Sequence, residues 1–94
     1  MNDCGLKIGS VVLSTQGRDK GMYFVVISID EKKGYVFLSD GGTRKLNAPK
    51  KKNIKHVSDS GSVLESIALK FETGKKVFDS EVKSALRQFN QQNG

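Results

Sequence analysis

Between Gly41 and His56 the chain reads GGTRKLNAPKKKNIKH, six cations (Arg44, Lys45, Lys50, Lys51, Lys52, Lys55) without one acid. A cluster of one sign repels itself and weakens the folded state. A surface that keeps one usually meets a partner of opposite charge, and a polyphosphate backbone is the commonest. A second basic element lies upstream. Gly17-Arg18-Asp19-Lys20-Gly21 has two glycines that allow a tight loop, which presents Arg18 and Lys20 outward with backbone N–H groups able to approach phosphate. Asp19 between the two cations is expected to hold them apart and to cap the turn with its own side chain. The chemistry these residues offer is electrostatic binding of a polyanion.

Catalytic chemistry finds little support. The only histidine, His56, sits among lysines, and its nearest acids in sequence, Asp40 and Asp59, reach it only through folding. A general base wants a carboxylate beside it, so His56 is read as a strand or RNA-facing residue. One histidine and one cysteine argue against a transition-metal site, and the carboxylates lack the spacing of a calcium loop. The Gly17–Gly21 loop lacks the glycine-lysine-hydroxyl pattern and the following helix of a nucleotide-binding loop. No enzyme activity, cofactor or small-molecule substrate is expected. Cys4 excludes an internal disulfide framework and reads as a reduced thiol near a frayed terminus, since Asp3 beside it raises a thiol pKa.

The charge is unevenly placed. Residues 1–58 hold 11 Lys/Arg against 5 acids, while residues 59–94 hold 5 of each, so the whole net charge of +6 belongs to the first part. That part is expected to carry the electrostatic task. At 94 residues and 36% hydrophobic, the chain suffices for one small domain or a mini-domain with an appendage. No apolar run approaches the roughly 20 residues of a membrane span, and no basic-then-apolar leader opens the sequence. A soluble, cytoplasmic protein with no membrane partner is expected.

The elements that must position these cations are short strands separated by glycine turns. Val11–Leu13, Tyr23–Ile29, Tyr35–Ser39, Thr43–Leu46 and Ile54–Val57 read as five strands. Asp30–Gly34 makes a hairpin loop, and Asp40-Gly41-Gly42 a tight turn. Pro49 forbids a ladder hydrogen bond at its own position and pushes Ala48 toward an extended conformation. Five such strands fit a small closed barrel. The period then changes. Val63, Leu64, Ile67, Ala68 and Phe71 form one helical stripe, opened by Ser62 and Glu65 as a capping box and stopped by Gly74. Phe78, Val82, Ala85, Leu86 and Phe89 form a second, with Asp79 or Ser80 as N-cap. Both stripes read as core, packed on each other or on the barrel, and residues 90–94 are expected to fray. The predicted fold is mainly β with C-terminal helices: a five-stranded barrel over 1–58 and a two-helix extension over 59–94.

Taken together, these segments resemble a KOW-motif domain. The likeness rests on Ile8-Gly9-Ser10-Val11-Val12 before the glycine loop and Phe24–Asp30 after it, then Asp40–Leu46 and Pro49–Val57, covering about residues 7–57. It is similar to the single-KOW large-subunit ribosomal proteins of archaea and eukaryotes, and to small bacterial KOW-domain RNA-binding proteins. The resemblance implies a barrel of the Src-homology-3 type, no enzymatic activity, and binding to structured, typically ribosomal, RNA. It assigns Gly17 as the motif glycine, Arg18 and Lys20 as the basic tip of a loop closed by Gly21, and Arg44 and Lys45 as a basic strand. Lys50, Lys51, Lys52, Asn53, Lys55 and His56 match the lysine-rich segment. Phe24 stands where the KOW domains of elongation factors usually carry a second glycine, which weighs against a polymerase-associated role.

Structured RNA offers phosphates and 2′-hydroxyls more readily than base edges, so shape and charge dominate its recognition. Lysines serve as flexible point charges, while Arg18 and Arg44 suit bidentate phosphate contacts or stacking on bases. Pro49 stiffens the approach to the lysines, and Asn53 is placed to read a base or a 2′-hydroxyl. About five phosphate contacts imply a log–log salt slope of −3.5 to −4.5. Tyr23, Phe24, Tyr35 and Phe37 read as caps of the barrel's open end rather than base-stacking platforms. Two rivals stay open: a protein-interaction module acting through the helices, sensitive at Phe71 or Phe89, and duplex DNA as partner. The second helix offers only Arg87 and Gln88, near its end, for groove reading.

Overall fold

The computed structural model describes residues 5–91. Five strands come first: β1 (Ser10–Ser14), β2 (Tyr23–Asp30), β3 (Tyr35–Ser39), β4 (Lys50–Asn53) and, after a 3-10 turn at Ile54–His56, β5 (Val57–Val63). Two helices follow, α1 (Glu65–Glu72) and α2 (Asp79–Gln91). Antiparallel ladders order the sheet β4-β3-β2-β1-β5. The protein is mainly β with C-terminal helices, as its sequence predicts.

Alternation along β1 and β2 buries both faces of the sheet. Val12, Phe24 and Val26 join Val36 and Leu38 of β3 in one cluster, and Ile54 and Val57 pack against it from the far end of the chain's β region. The sheet therefore curls enough for β5 and β3 to share a core. Val11 and Val25 point the other way and meet Ile67, Val82 and Leu86 of the helices. One extra residue, Ile27, sits in β2 where the register shifts between Val26 and Ser28. This bulge exchanges the two faces, so Ser28 turns to solvent and Ile29 returns to the first cluster.

Most of both helical stripes is core, laid on the β1–β2 face, but Phe78 at the head of the second is 54% exposed before α2 begins, and Val63 of the first lies in β5. Gly9 lets α1 approach β1: a Cβ there would lie 2.6 Å from Ala68 Cβ, and its φ of +98° favours glycine in any case. Lys70 and Glu81 join the helices through a 2.8 Å ion pair, which lowers the Glu81 pKa through its hydrogen bond to Lys70.

Several boundaries differ from expectation. Thr43–Leu46 is loop, because the carbonyl of Arg44 accepts the Asp40 and Gly41 N–H groups and the Ser39 hydroxyl, local bonds that take the place of a ladder. The fourth strand is the lysine run itself, Lys50–Asn53. Ile54–His56 is a 3-10 turn because Asn53 Oδ1 accepts the Lys55 N–H and caps it. Residues 59–63, expected in the helical extension, belong to β5. Ser62 therefore lies in a strand and forms no capping box; Leu64 is the α1 N-cap, without a side-chain bond. Gly74 does end α1: the Lys75 and Gly74 N–H groups close on the carbonyls of Lys70 and Phe71. Asp79 lies inside α2 rather than at its cap, since the Phe78 carbonyl accepts the first helical bonds. Asn90 and Gln91 complete α2, while residues 92–94 and Cys4 lie outside the described residues.

Candidate nucleic-acid interface

The Gly17–Gly21 loop joins β1 to β2, with both glycines at positive φ (89° and 92°). Bonds from Ser14 N–H to the Met22 carbonyl (2.9 Å) and from Gly21 N–H to the Ser14 carbonyl (2.8 Å) close its base. Arg18 and Lys20 are exposed at its tip. Asp19 turns inward. Its Oδ1 accepts from Ser14 Oγ (2.7 Å) and Lys52 Nζ (2.7 Å), and Lys50 Nζ stands 3.2 Å from Oδ2. The carboxylate thus ties the loop to β4 instead of capping its own turn.

That network divides the lysine run. β4 pairs with β3 as Val36↔Lys52, Phe37↔Lys51 and Leu38↔Lys50. Lys50 and Lys52 therefore share the inward face with Val36 and Leu38, and Lys51 shares the outward face with Phe37. Lys52 is only 7% exposed and also donates to the Gln16 carbonyl (2.5 Å). It is a structural cation, not a surface one, and its assignment to RNA contact is corrected accordingly. Lys50, at 26% exposure, is half-committed to Asp19. Lys51 lies over the Tyr35 ring, 4.3 Å from its centroid, a cation–π contact that occupies this tyrosine's face.

Burial alone raises the pKa of Asp19, but the bonds from Lys52, Ser14 and Lys50 outweigh it and hold the group at about 2, against an ordinary 3.8. The carboxylate is the ionised keystone of this corner.

Asn53 spends its Oδ1 on the 3-10 turn, so the expected base-reading oxygen is already engaged. Lys55 and His56 are exposed on that turn, and the His56 carbonyl accepts from Thr15 N–H (2.9 Å). Arg44 and Lys45 are exposed on the loop after β3, which Asp40 organises by accepting the Gly42 (2.9 Å) and Arg44 (2.8 Å) N–H groups. Gly41 is buried beneath α2: a Cβ there would strike the Asp79 carbonyl and lie 2.7 Å from Lys83 N. Asp79 Oδ1 accepts the Leu46 N–H (2.7 Å), fastening the far end of the loop to the same helix.

These placements bring Arg18, Arg44 and Lys50 to one recess of about 280 Å³, lined also by Met22, Phe24, Thr43 and the carboxylates Asp19 and Asp40, both engaged by donors. Asp40, Thr43 and Met22 also border a second recess of about 690 Å³, which Lys45 shares with Lys83, Arg87 and Asn90 of α2. Sharing Met22 (40% exposed), Asp40 and Thr43, the two recesses adjoin as one groove with cations lining both parts. Lys51, Lys55 and His56 border neither recess. Sequence reasoning missed Lys83 and Met22, and set Arg87 aside. The i, i+4 spacing of Lys83 and Arg87 marks one helical face, but only the docking of α2 shows which loop that face meets. No protein-family model and no curated protein matches the sequence.

Proposed function

We propose that this chain is a non-enzymatic RNA-binding module of the KOW type, a Src-homology-3-like barrel acting in the cytoplasm on structured, ribosomal RNA. The reading is supported above all by one observation: two separate loops deliver Arg18 and Arg44 to the same recess. Two guanidinium groups at one recess suit a bent phosphate backbone, where each can fork two oxygens. The groove borders two loops and the side of α2, so recognition by shape and phosphate is the mode it fits. Lys45 extends the contact into the second recess, while Lys20 borders neither recess and Lys52 is spent on Asp19.

Three exposed cations of the groove's loops (Arg18, Arg44, Lys45) then set the electrostatic term, giving a log–log salt slope of about −2.1 to −2.7. Most of the helical stripes that would serve a protein-interaction module is occupied in the second core, Phe71 and Phe89 included, and Phe78 alone of the second stripe stays exposed. Fluorescence anisotropy with a folded ribosomal RNA fragment and a matched DNA duplex, across salt, tests the proposal. Tighter, salt-dependent binding to the RNA is expected. Equal, weak binding to both would contradict it and return attention to a protein partner.

A further inference from the structure

The larger recess has chemistry that phosphate binding alone does not use. Its floor is apolar, built from exposed Met22 over buried Leu86. Its α2 wall carries Lys83 and Arg87 one turn apart, and its loop wall carries Lys45. Asn90 lines it too, and its Oδ1 accepts the Tyr23 backbone N–H at 3.0 Å. That bond fixes the amide's orientation: the oxygen must face Tyr23, so the two Nδ2 protons face away from it. Asp40 is the only acid on the walls, and its Oδ1 is held by two backbone donors. Donors, an apolar floor and clustered cations are thus combined in a recess of about 690 Å³, within the ~300–1,000 Å³ of small-ligand sites.

We propose that this recess takes one unpaired nucleotide of the bound RNA. Its phosphate lies among Lys45, Lys83 and Arg87, its base on Met22, and an acceptor on the base edge accepts from Asn90 Nδ2. The inference rests on the RNA-binding reading and adds to it a preference for RNA with a bulged or flipped-out residue. A paired strand keeps its bases stacked and leaves the Met22 floor and the amide unused. The free Nδ2 donors are met by a base carbonyl of uracil, cytosine or guanine, or by a ring nitrogen of adenine, so the amide asks for an exposed acceptor edge rather than for one base.

The test compares two labelled RNA hairpins, alike except that one carries a single unpaired uridine. Wild type is expected to bind the bulged hairpin about tenfold more tightly. Lys83→Gln with Arg87→Gln, both at exposed positions, should abolish that advantage and flatten the salt slope by about 0.7 to 0.9, the share of one phosphate. Asn90→Asp retains an acceptor for the Tyr23 N–H but loses the donor, so it should remove most of the advantage without shifting the thermal midpoint. Equal wild-type affinity for the two hairpins, or bulge binding indifferent to these variants, overturns the inference. If Arg18→Gln with Arg44→Gln still weakens both hairpins in that case, RNA binding itself stands. Failure of wild type to bind either hairpin removes both the function and this site.

Discussion

Two loops border the basic groove, and each uses the same local ingredients: a glycine at positive φ, an aspartate and an arginine. They are held by different forces. Gly17–Gly21 is anchored by charge, through Asp19 to Ser14, Lys50 and Lys52. The Asp40–Arg44 loop is anchored by backbone hydrogen bonds on Asp40 and by close packing of Gly41 under α2. The first should respond to pH and to removal of a counter-charge; the second should respond to added volume. Arg18 and Arg44 thus reach one recess on supports that fail under different insults.

The largest effect should come from crowding the second loop. Gly41→Ala forces a side chain into the α2 backbone at a φ of +75°, and strain and overpacking together should cost about 3 kcal/mol or more. A fall in thermal midpoint beyond about 10 °C is expected by calorimetry. Gly17→Ala meets Lys52 Nζ at 3.4 Å and Asp19 Oδ1 at 3.7 Å, both without a clash, and should cost about 1 to 2 kcal/mol, chiefly from its φ.

Removing the counter-charge breaks the first loop instead. Lys52→Met leaves Asp19 with the Ser14 hydroxyl and Lys50 as its one remaining counter-charge, and should destabilise by about 2 to 3 kcal/mol in urea titration. If Lys52→Met is as stable as wild type, charge does not anchor this loop.

Acid should separate the loops as well. Asp19 has a folded pKa of about 2, below its ordinary 3.8, so its stabilisation is complete above pH ~4 and is lost as pH falls through the folded value. The shift corresponds to about 2 kcal/mol, and Asp19→Asn should remove that part of the decline between pH 4 and 2. Asp40→Asn keeps an acceptor oxygen for the two backbone donors and should change stability by less than about 0.5 kcal/mol.

The smallest change is expected at Lys51→Gln, which loses an outward cation–π contact worth about 0.5 kcal/mol by urea titration.

How far the sequence revealed this arrangement varies by element. β1, β2 and β3 are β-branched and aromatic, and both helices show their stripes, so these elements are legible without the structure. β4 is not. Three consecutive lysines carry no alternation, so nothing in them says which faces inward; the pairing with Val36 and Leu38 decides it. Ser58–Ser62 lacks strand formers and joins the sheet only because β1 needs a partner on its free edge. Within the site, the arginines and glycines of both loops were legible as a polyanion-binding pattern. The internal role of Lys52 and the capping role of Asn53 were not, because each depends on a partner outside its own segment or on the turn that follows. The contribution of α2 was hidden for the same reason: the loop that meets Lys83 and Arg87 is forty residues away in sequence and adjacent only through Gly41 and Asp79.

The central claim is that the groove, rather than basic charge in general, binds RNA. The most direct test sets Arg18→Gln with Arg44→Gln against Lys51→Gln with Lys55→Gln, pairs that lower the net charge of +6 by the same two units. Anisotropy titrations of a folded RNA across salt would read the slope for each. The groove pair should weaken binding at least tenfold and flatten the slope by about 1.4 to 1.8, while the other pair stays within about threefold of wild type. Equal losses in both pairs would show that diffuse charge suffices, and would contradict the account.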